Sequence, residues 1–300
     1  MIGRVLPWIQ AAEPAQEGLD IGGMMLHHLT DSRVLELPFG VEVQLPQWAP
    51  LRLGPLTLDL SPTKHVVFMF LAAILVAAIL IVAARSAERS RREGAHRGPR
   101  GIANVVEAMV LFLRDEVALA NIGQGGERYV PFVVTLFFFI LFANLLGLVP
   151  WGSTATANLS VTAALAVMSL VVTEVAGFLT LGPKGYARTI FYAPPGLGRV
   201  GQALMLVIMT PVELLGKLTK PFALAIRLFA NMNAGHFIVL ALIGLVLLAS
   251  QTISVASVSL VGPLVMAVAI MVLELFVAFL QAYVFAMLTS VFIGLIRHAH

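Results

Sequence analysis

The chain has 300 residues, of which 59% are hydrophobic and only 12% charged, and its formal net charge is +3 at pH 7. A soluble domain carries about 25% charged residues, so this composition, with a mean hydropathy of +0.93, is that of an integral membrane protein; its continuous apolar runs favour helices over a barrel. Zero cysteines exclude disulfides, thiolate metal sites and a cysteine nucleophile. Basic residues gather at loops rather than forming a nucleic-acid surface, and no glycine-rich phosphate loop or HExxH spacing occurs, so neither cofactor, metal nor nucleic acid is expected.

Residues 1–63 are mixed in character and rich in proline, and are expected to form an extracytoplasmic amino-terminal arm with a short strand or two, VEVQLP and LTLDL. The first residues carry one Arg but no long apolar core, so a cleaved signal peptide is not expected. The adjacent His27 and His28 lack an evident third ligand and read as an exposed pair. From residue 64 to 300 the chain reads as a helical membrane domain. Its first span is Val66–Ala84, free of charge and about 28 Å long as a helix. Arg85, Arg89, Arg91, Arg92, Arg97 and Arg100 follow at once. A loop this basic stays in the cytoplasm, which places the amino terminus outside and the carboxyl terminus inside.

Gly101–Asn121 has apolar positions at helical spacing beside Glu107, Arg114, Asp115 and Glu116, the pattern of an amphipathic helix on the cytoplasmic surface. The second span, Tyr129–Pro150, holds one strongly polar interior residue, Asn144, placed to hydrogen-bond a neighbouring helix, and Trp151 then marks the outer interface. The third, Leu159–Leu181, carries Glu174, which faces either the bundle or the interface. A basic loop with Lys184, Arg188 and Arg199 follows, in keeping with the topology.

The last hundred residues do not fit ordinary spans. As helices, Gly201–Ser250 and Thr252–Ile296 would run about 75 Å and 67 Å, against a hydrocarbon core of about 30 Å. Each must split in two or lie strongly tilted, and the polar stretch at 249–257 is the expected turn of an antiparallel hairpin (201–297). Within it, PVELLGKLTKPFALAIRLFANMNAGH places Glu213, Lys217, Lys220, Arg227, Asn231 and His236 in apolar surroundings. Glu213, Lys220, Arg227 and Asn231 fall near one helical stripe, with His236 about half a turn round from Arg227. Lys217 and Lys220 read as side chains snorkelling to an interface. Arg227 has no such exit, and an arginine there costs about 2.5–3.5 kcal/mol on insertion scales, so it is a functional-site candidate. Pairing Arg227 with Gln281 and His236 with Glu274 gives nearly the same sum of residue numbers, which centres the turn near 254–255. Glu274 and Gln281, seven apart, share a face.

Arg227-Leu-Phe-Ala-Asn231, Ala234-Gly235-His236 and Leu280-Gln281-Ala282-Tyr283 resemble subunit a of the rotary F-type ATP synthase, and PFVVTLFFFILFANLLGLVPW is similar to that family's second span. The resemblance covers roughly residues 60–297. It implies an all-α membrane protein of about five membrane helices, acting as a stator against a ring of small proteolipid subunits that carry a membrane carboxylate, beside a peripheral-stalk subunit. It implies no catalysis by the chain alone, but two aqueous half-channels for protons. Arg227 then matches the essential arginine facing the ring carboxylate and Gln281 the family's glutamine. His236 and Glu274 match an acid–imidazole pair, Glu213 a polar position toward the cytoplasmic exit, and Asn231 one beside the arginine. Ala230 stands where many members have glycine, and both are small enough for close helix approach. The alternative open at this point is a stand-alone ion channel or secondary transporter, which works without a ring.

Overall fold

The computed structural model describes residues 9–11, 32–37, 41–53, 56–59, 61–92, 101–149, 152–191, 198–252 and 261–298. The histidine pair at 27–28, Trp151 and most of the expected turn at 249–257 lie outside them. Six long helical elements carry the fold: α1 (Lys64–Arg92), α2 (Ile102–Phe112), α3 (Val130–Leu148), α4 (Leu159–Ile190), α5 (Arg199–Thr252) and α6 (Val261–Arg297). All but α2 are long and apolar enough to cross a membrane. Arg85 to Arg92 belong to the last turns of α1 rather than to a loop, since long basic side chains suit a helix end.

The amino-terminal region holds more strand than the one or two expected. β1 (Ile9–Ala11), β2 (Val34–Leu37) and β3 (Val41–Gln44) form an antiparallel sheet in the order β1-β3-β2, with Ile9 opposite Val43 and Leu37 opposite Val41. β4 (Leu51–Leu53) and β5 (Leu56–Leu58) form a hairpin. The segment is tied to the start of α1: the Lys64 N–H donates to the Ser32 carbonyl at 2.9 Å. Nearby, the Ser61 hydroxyl and backbone N–H, with Arg33, hold the Asp59 carboxyl below its ordinary value of 3.8.

Two compact units are distinguished, one of Met1–Leu75, Leu141–Asn158 and Ala230–Phe279, the other of Val76–Ile140, Leu159–Phe229 and Leu280–His300. The second has a dense apolar core in which Leu113, Val117, Ile122, Phe137, Phe138, Phe285 and Ile293 are buried. α2 continues through a π-helical stretch (Leu113–Leu119) to a last turn (Ala120–Ile122). Gly123 and Gly125, both at positive φ, then reverse the chain toward α3. Arg297, at the end of α6, satisfies the carbonyls left open there: its guanidinium donates to Gln124 O at 2.7 Å and Ile122 O at 3.4 Å, and lies over the Tyr129 ring. Gly294 makes this approach possible, because a Cβ there would collide with the Asn121 carbonyl oxygen.

α4 breaks at Gly182 (φ 69°, ψ 173°), followed by Pro183, so its membrane part ends at Leu181 as the sequence predicts. Of the two alternatives for α5, the structure shows the unsplit one: it runs helically for 54 residues through Pro211 and Pro221. An unbroken helix of about 81 Å meets a hydrocarbon layer of about 30 Å only by lying strongly inclined. His236 faces Glu274, and Lys220 lies over the Phe292 ring. Both pairs have nearly the same sum of residue numbers, so α5 and α6 run antiparallel.

Two glycines test this packing with opposite signs. Gly294→Val should destabilise the protein by about 1–3 kcal/mol, because backbone rather than a flexible side chain stands in the way. Gly216→Ala, with nothing within 4 Å of its new methyl, should instead be neutral or stabilise by up to about 1 kcal/mol. Thermal unfolding in detergent measures both.

Candidate functional site

The first unit contains a connected polar network in apolar surroundings. Asn144 on α3 donates from Nδ2 to the Ala278 carbonyl of α6 at 3.2 Å and accepts from the Thr156 hydroxyl at 2.6 Å. The expectation that Asn144 bonds a neighbouring helix is met, and its side chain is wholly buried. Asn233 on α5 donates to the Ala157 carbonyl at 3.1 Å. These bonds hold the 152–158 segment, whose backbone would otherwise leave polar groups unsatisfied.

His236 lies in this network. Its Nδ1 is 2.5 Å from Glu274 Oε1, and its Nε2 is 2.9 Å from the Gly147 carbonyl and 3.0 Å from Thr154 Oγ1. Glu274 is 6% exposed. A carbonyl only accepts, so Nε2 carries a hydrogen, which leaves Nδ1 and the Glu274 carboxylate to share the exchangeable proton. Sequence reasoning found both titratable groups but missed Thr154 and the Gly147 carbonyl, since neither residue carries an ionisable signal. Gly235 sits within the continuous α5, and a Cβ there would lie 2.9 Å from Glu274 Oε1. The missing side chain makes room for the carboxylate.

The second unit contains Arg227, Gln281, Glu213, Glu174, Lys217 and Lys220. Arg227 is exposed, beside exposed Phe222 and Ile226 on the same helix. The ion pairs among the described residues join Arg33 to Asp59, Arg114 to Asp115, Lys217 to Glu174 and His236 to Glu274; Arg227 is in none of them. Glu213, Lys220 and Asn231 are exposed as well, so the stripe read from the sequence is a real face of α5. Gln281 is buried at 1% exposure. Arg227 and Gln281 thus occupy different environments.

Lys217 departs from expectation. Its side chain does not snorkel but is 14% exposed, with the ammonium 2.9 Å from Glu174 Oε2 and above the Tyr186 ring. Tyr186 also donates its hydroxyl to Glu174. A carboxylate in low dielectric attracts the nearest cation more strongly than a distant interface does. Lys220 keeps its exposure and rests over Phe292.

Residues 66–294 match the family model described as ATP synthase A chain. Similar proteins include an ATP synthase subunit a of Myxococcus xanthus, 51% identical over 79% of this chain and 73% of its own length. The ATP synthase subunit a of Anaeromyxobacter dehalogenans is 44% identical over 93% of this chain and 71% of its own. For the ATP synthase subunit a 2 of Chlorobaculum tepidum, identity is 43% over 91% of this chain and 72% of its own. The chain belongs to the ATP synthase A chain family. It is an all-α, multi-pass membrane protein whose matched region contains every site residue named above.

Gly235→Ala probes the polar pair without removing either ionisable group. The new methyl displaces the Glu274 carboxylate, whose flexible end yields, so the complex should still assemble. Misplacing a proton partner by a few tenths of an ångström should slow proton flux by about tenfold, measured in reconstituted vesicles.

Proposed function

We propose that the chain is the proton-translocating stator component of an ATP synthase membrane sector, acting on a ring of small proteolipid subunits that each carry one membrane carboxylate. The observation that carries this reading is Arg227, an exposed charged side chain on the stripe of α5 that also carries Glu213, Lys220 and Asn231, with no acidic partner among the described residues. A cation so placed needs an anion from another subunit, and a passing carboxylate supplies one. Arginine stays protonated, so it serves as a fixed charge rather than a relay. It favours the ionised carboxylate and forces proton release as each ring site passes. Its charge also repels protons attempting to move directly between the two half-channels.

His236 and Glu274 carry protons on the outer side, exchanging them at Nδ1 and Oε1, with Asn231 beside the arginine and Gln281 on the α6 face. Glu213 serves the cytoplasmic side. Each proton crossing 100 mV releases about 2.3 kcal/mol, and rotation combines several such steps. The chain performs no bond chemistry of its own and works with the ring and a peripheral-stalk subunit. A stand-alone channel or transporter is not favoured by membership of this family.

Arg227→Ala should reduce ATP synthesis and ATP-driven pumping by on the order of 10²–10³, as for other preorganised electrostatic contacts. It should also open a passive leak that a reagent blocking the ring carboxylate stops. Substantial ATP synthesis by this variant would show that the arginine does not have this role.

The basic segment at 85–100 supports an orientation with the amino terminus outside and the carboxyl terminus inside the bacterial inner membrane. Single cysteines introduced into this cysteine-free chain report it. One placed at 85–100 should resist an impermeant thiol reagent in sealed cells and react in inverted vesicles; the reverse pattern would invert the assignment.

A further inference from the structure

We propose that the Glu174–Lys217–Tyr186 cluster is a proton-transfer site, in which the Glu174 carboxylate takes up and releases protons within an aqueous cavity that it shares with Glu213. The inference rests on the proton-translocation reading above and adds to it a site formed by α4 and α5. Glu174 Oε2 accepts from the Lys217 ammonium at 2.9 Å and from the Tyr186 hydroxyl. The same ammonium lies 4.6 Å from the centre of the Tyr186 ring. Both charged side chains are largely withdrawn from the surface, at 14% and 23% exposure.

The cluster opens on a cavity of about 130 Å³ lined by Ser169, Thr173, Glu213 and Lys220 as well as by the pair itself. At about 30 Å³ per water this holds a few molecules, and hydroxyls and carboxylates supply the partners they need. Charged or titratable groups line it from two helices, Glu174 from α4 and Glu213, Lys217 and Lys220 from α5, while Tyr186 reaches Glu174 from beside it; α6 contributes Phe292, Leu295 and Ile296. A pin holding α4 to α5 needs no such cavity. Stability does not explain the pair either, because apolar residues of similar volume commonly replace a buried ion pair without loss.

The chemistry follows from the partners. At rest Glu174 Oε2 accepts from both Lys217 and Tyr186. A proton leaves the Glu213 carboxyl, passes through cavity water and forms an O–H bond at Oε1, the oxygen that Lys217 and Tyr186 do not engage, which removes the anion that Lys217 was attracting. The O–H bond then breaks to the next water, the ion pair is restored, and no electron changes place. Restoring that attraction favours release, so the carboxylate holds a proton only transiently.

The test uses the complete membrane complex in vesicles, reading passive proton flux and, in detergent, the thermal midpoint. Glu174→Gln keeps shape and hydrogen-bond acceptance but loses the proton site; it should assemble, with a midpoint lowered by the loss of Lys217's anion, and conduct at least about tenfold more slowly. Glu174→Asp should retain most of the flux. The double replacement Glu174→Leu with Lys217→Leu should keep the midpoint and lose the flux. Parent-rate flux in either Glu174→Gln or the double variant overturns the proposal, leaving a structural pin. Should the double variant fail to assemble, Glu174→Gln decides alone. Arg227→Ala run in parallel separates the two readings. Continued ATP synthesis there would sink the translocation reading. Normal flux through Glu174→Gln beside an inactive Arg227→Ala sinks only this site.

Discussion

A charge placed in an apolar medium must be given a partner, and α5 is built around that requirement. Its ionisable side chains meet it in different ways. Lys217 has the Glu174 carboxylate, Lys220 the face of Phe292, and His236 both Glu274 and the Gly147 carbonyl. Glu213 borders a polar cavity. Arg227 alone of these has neither an acidic partner among the described residues nor a polar cavity that it lines, and it is exposed. That exception is what the proposed contact with a ring carboxylate rests on.

Meeting the requirement depends on close approach. Gly235 leaves room for the Glu274 carboxylate, and a side chain at Gly147 would overlap Thr154, which reaches His236. Gly294 admits the backbone at Asn121, and Gly177 admits Ile296, whose side chain a Cβ would meet at 2.7 Å. Helices whose surfaces are apolar all round gain little from hydrophobic sorting in lipid, so van der Waals packing at small residues and interhelical hydrogen bonds determine which faces meet. Asn144 illustrates the second term, joining α3 to α6 while holding Thr156.

The length of α5 follows from the same economy of polar groups. Breaking a helix in hydrocarbon exposes N–H and C=O groups that nothing there can satisfy, so a long inclined helix is favoured over a break unless neighbours re-satisfy the freed groups. Pro211 and Pro221 each remove one donor without ending the helix. α4, by contrast, breaks at Gly182-Pro183, beyond its apolar stretch and among Lys184 and Arg188.

The apolar runs were long enough to announce the membrane helices, and the motifs around Arg227, His236 and Gln281 carried the family, because spans and motifs are local properties of the chain. The pairing of His236 with Glu274 followed from the family resemblance, and the numbering rule of an antiparallel hairpin agreed with it. Other features were not. Nothing in the sequence says that Lys217 turns inward to Glu174, because the choice between snorkelling and pairing depends on a residue 43 positions earlier in the chain that the fold brings within 2.9 Å. Thr154 and the Gly147 carbonyl were invisible for a related reason: a hydroxyl and a backbone oxygen acquire a role only when a folded segment aims them at an imidazole. The sequence by itself determined the helices, the charges they carry and the family. Only the tertiary structure decided which charges find partners within the chain and which has no acidic partner among the described residues, because partnership in a low dielectric depends on distances of about 3 Å that no spacing along a helix can specify.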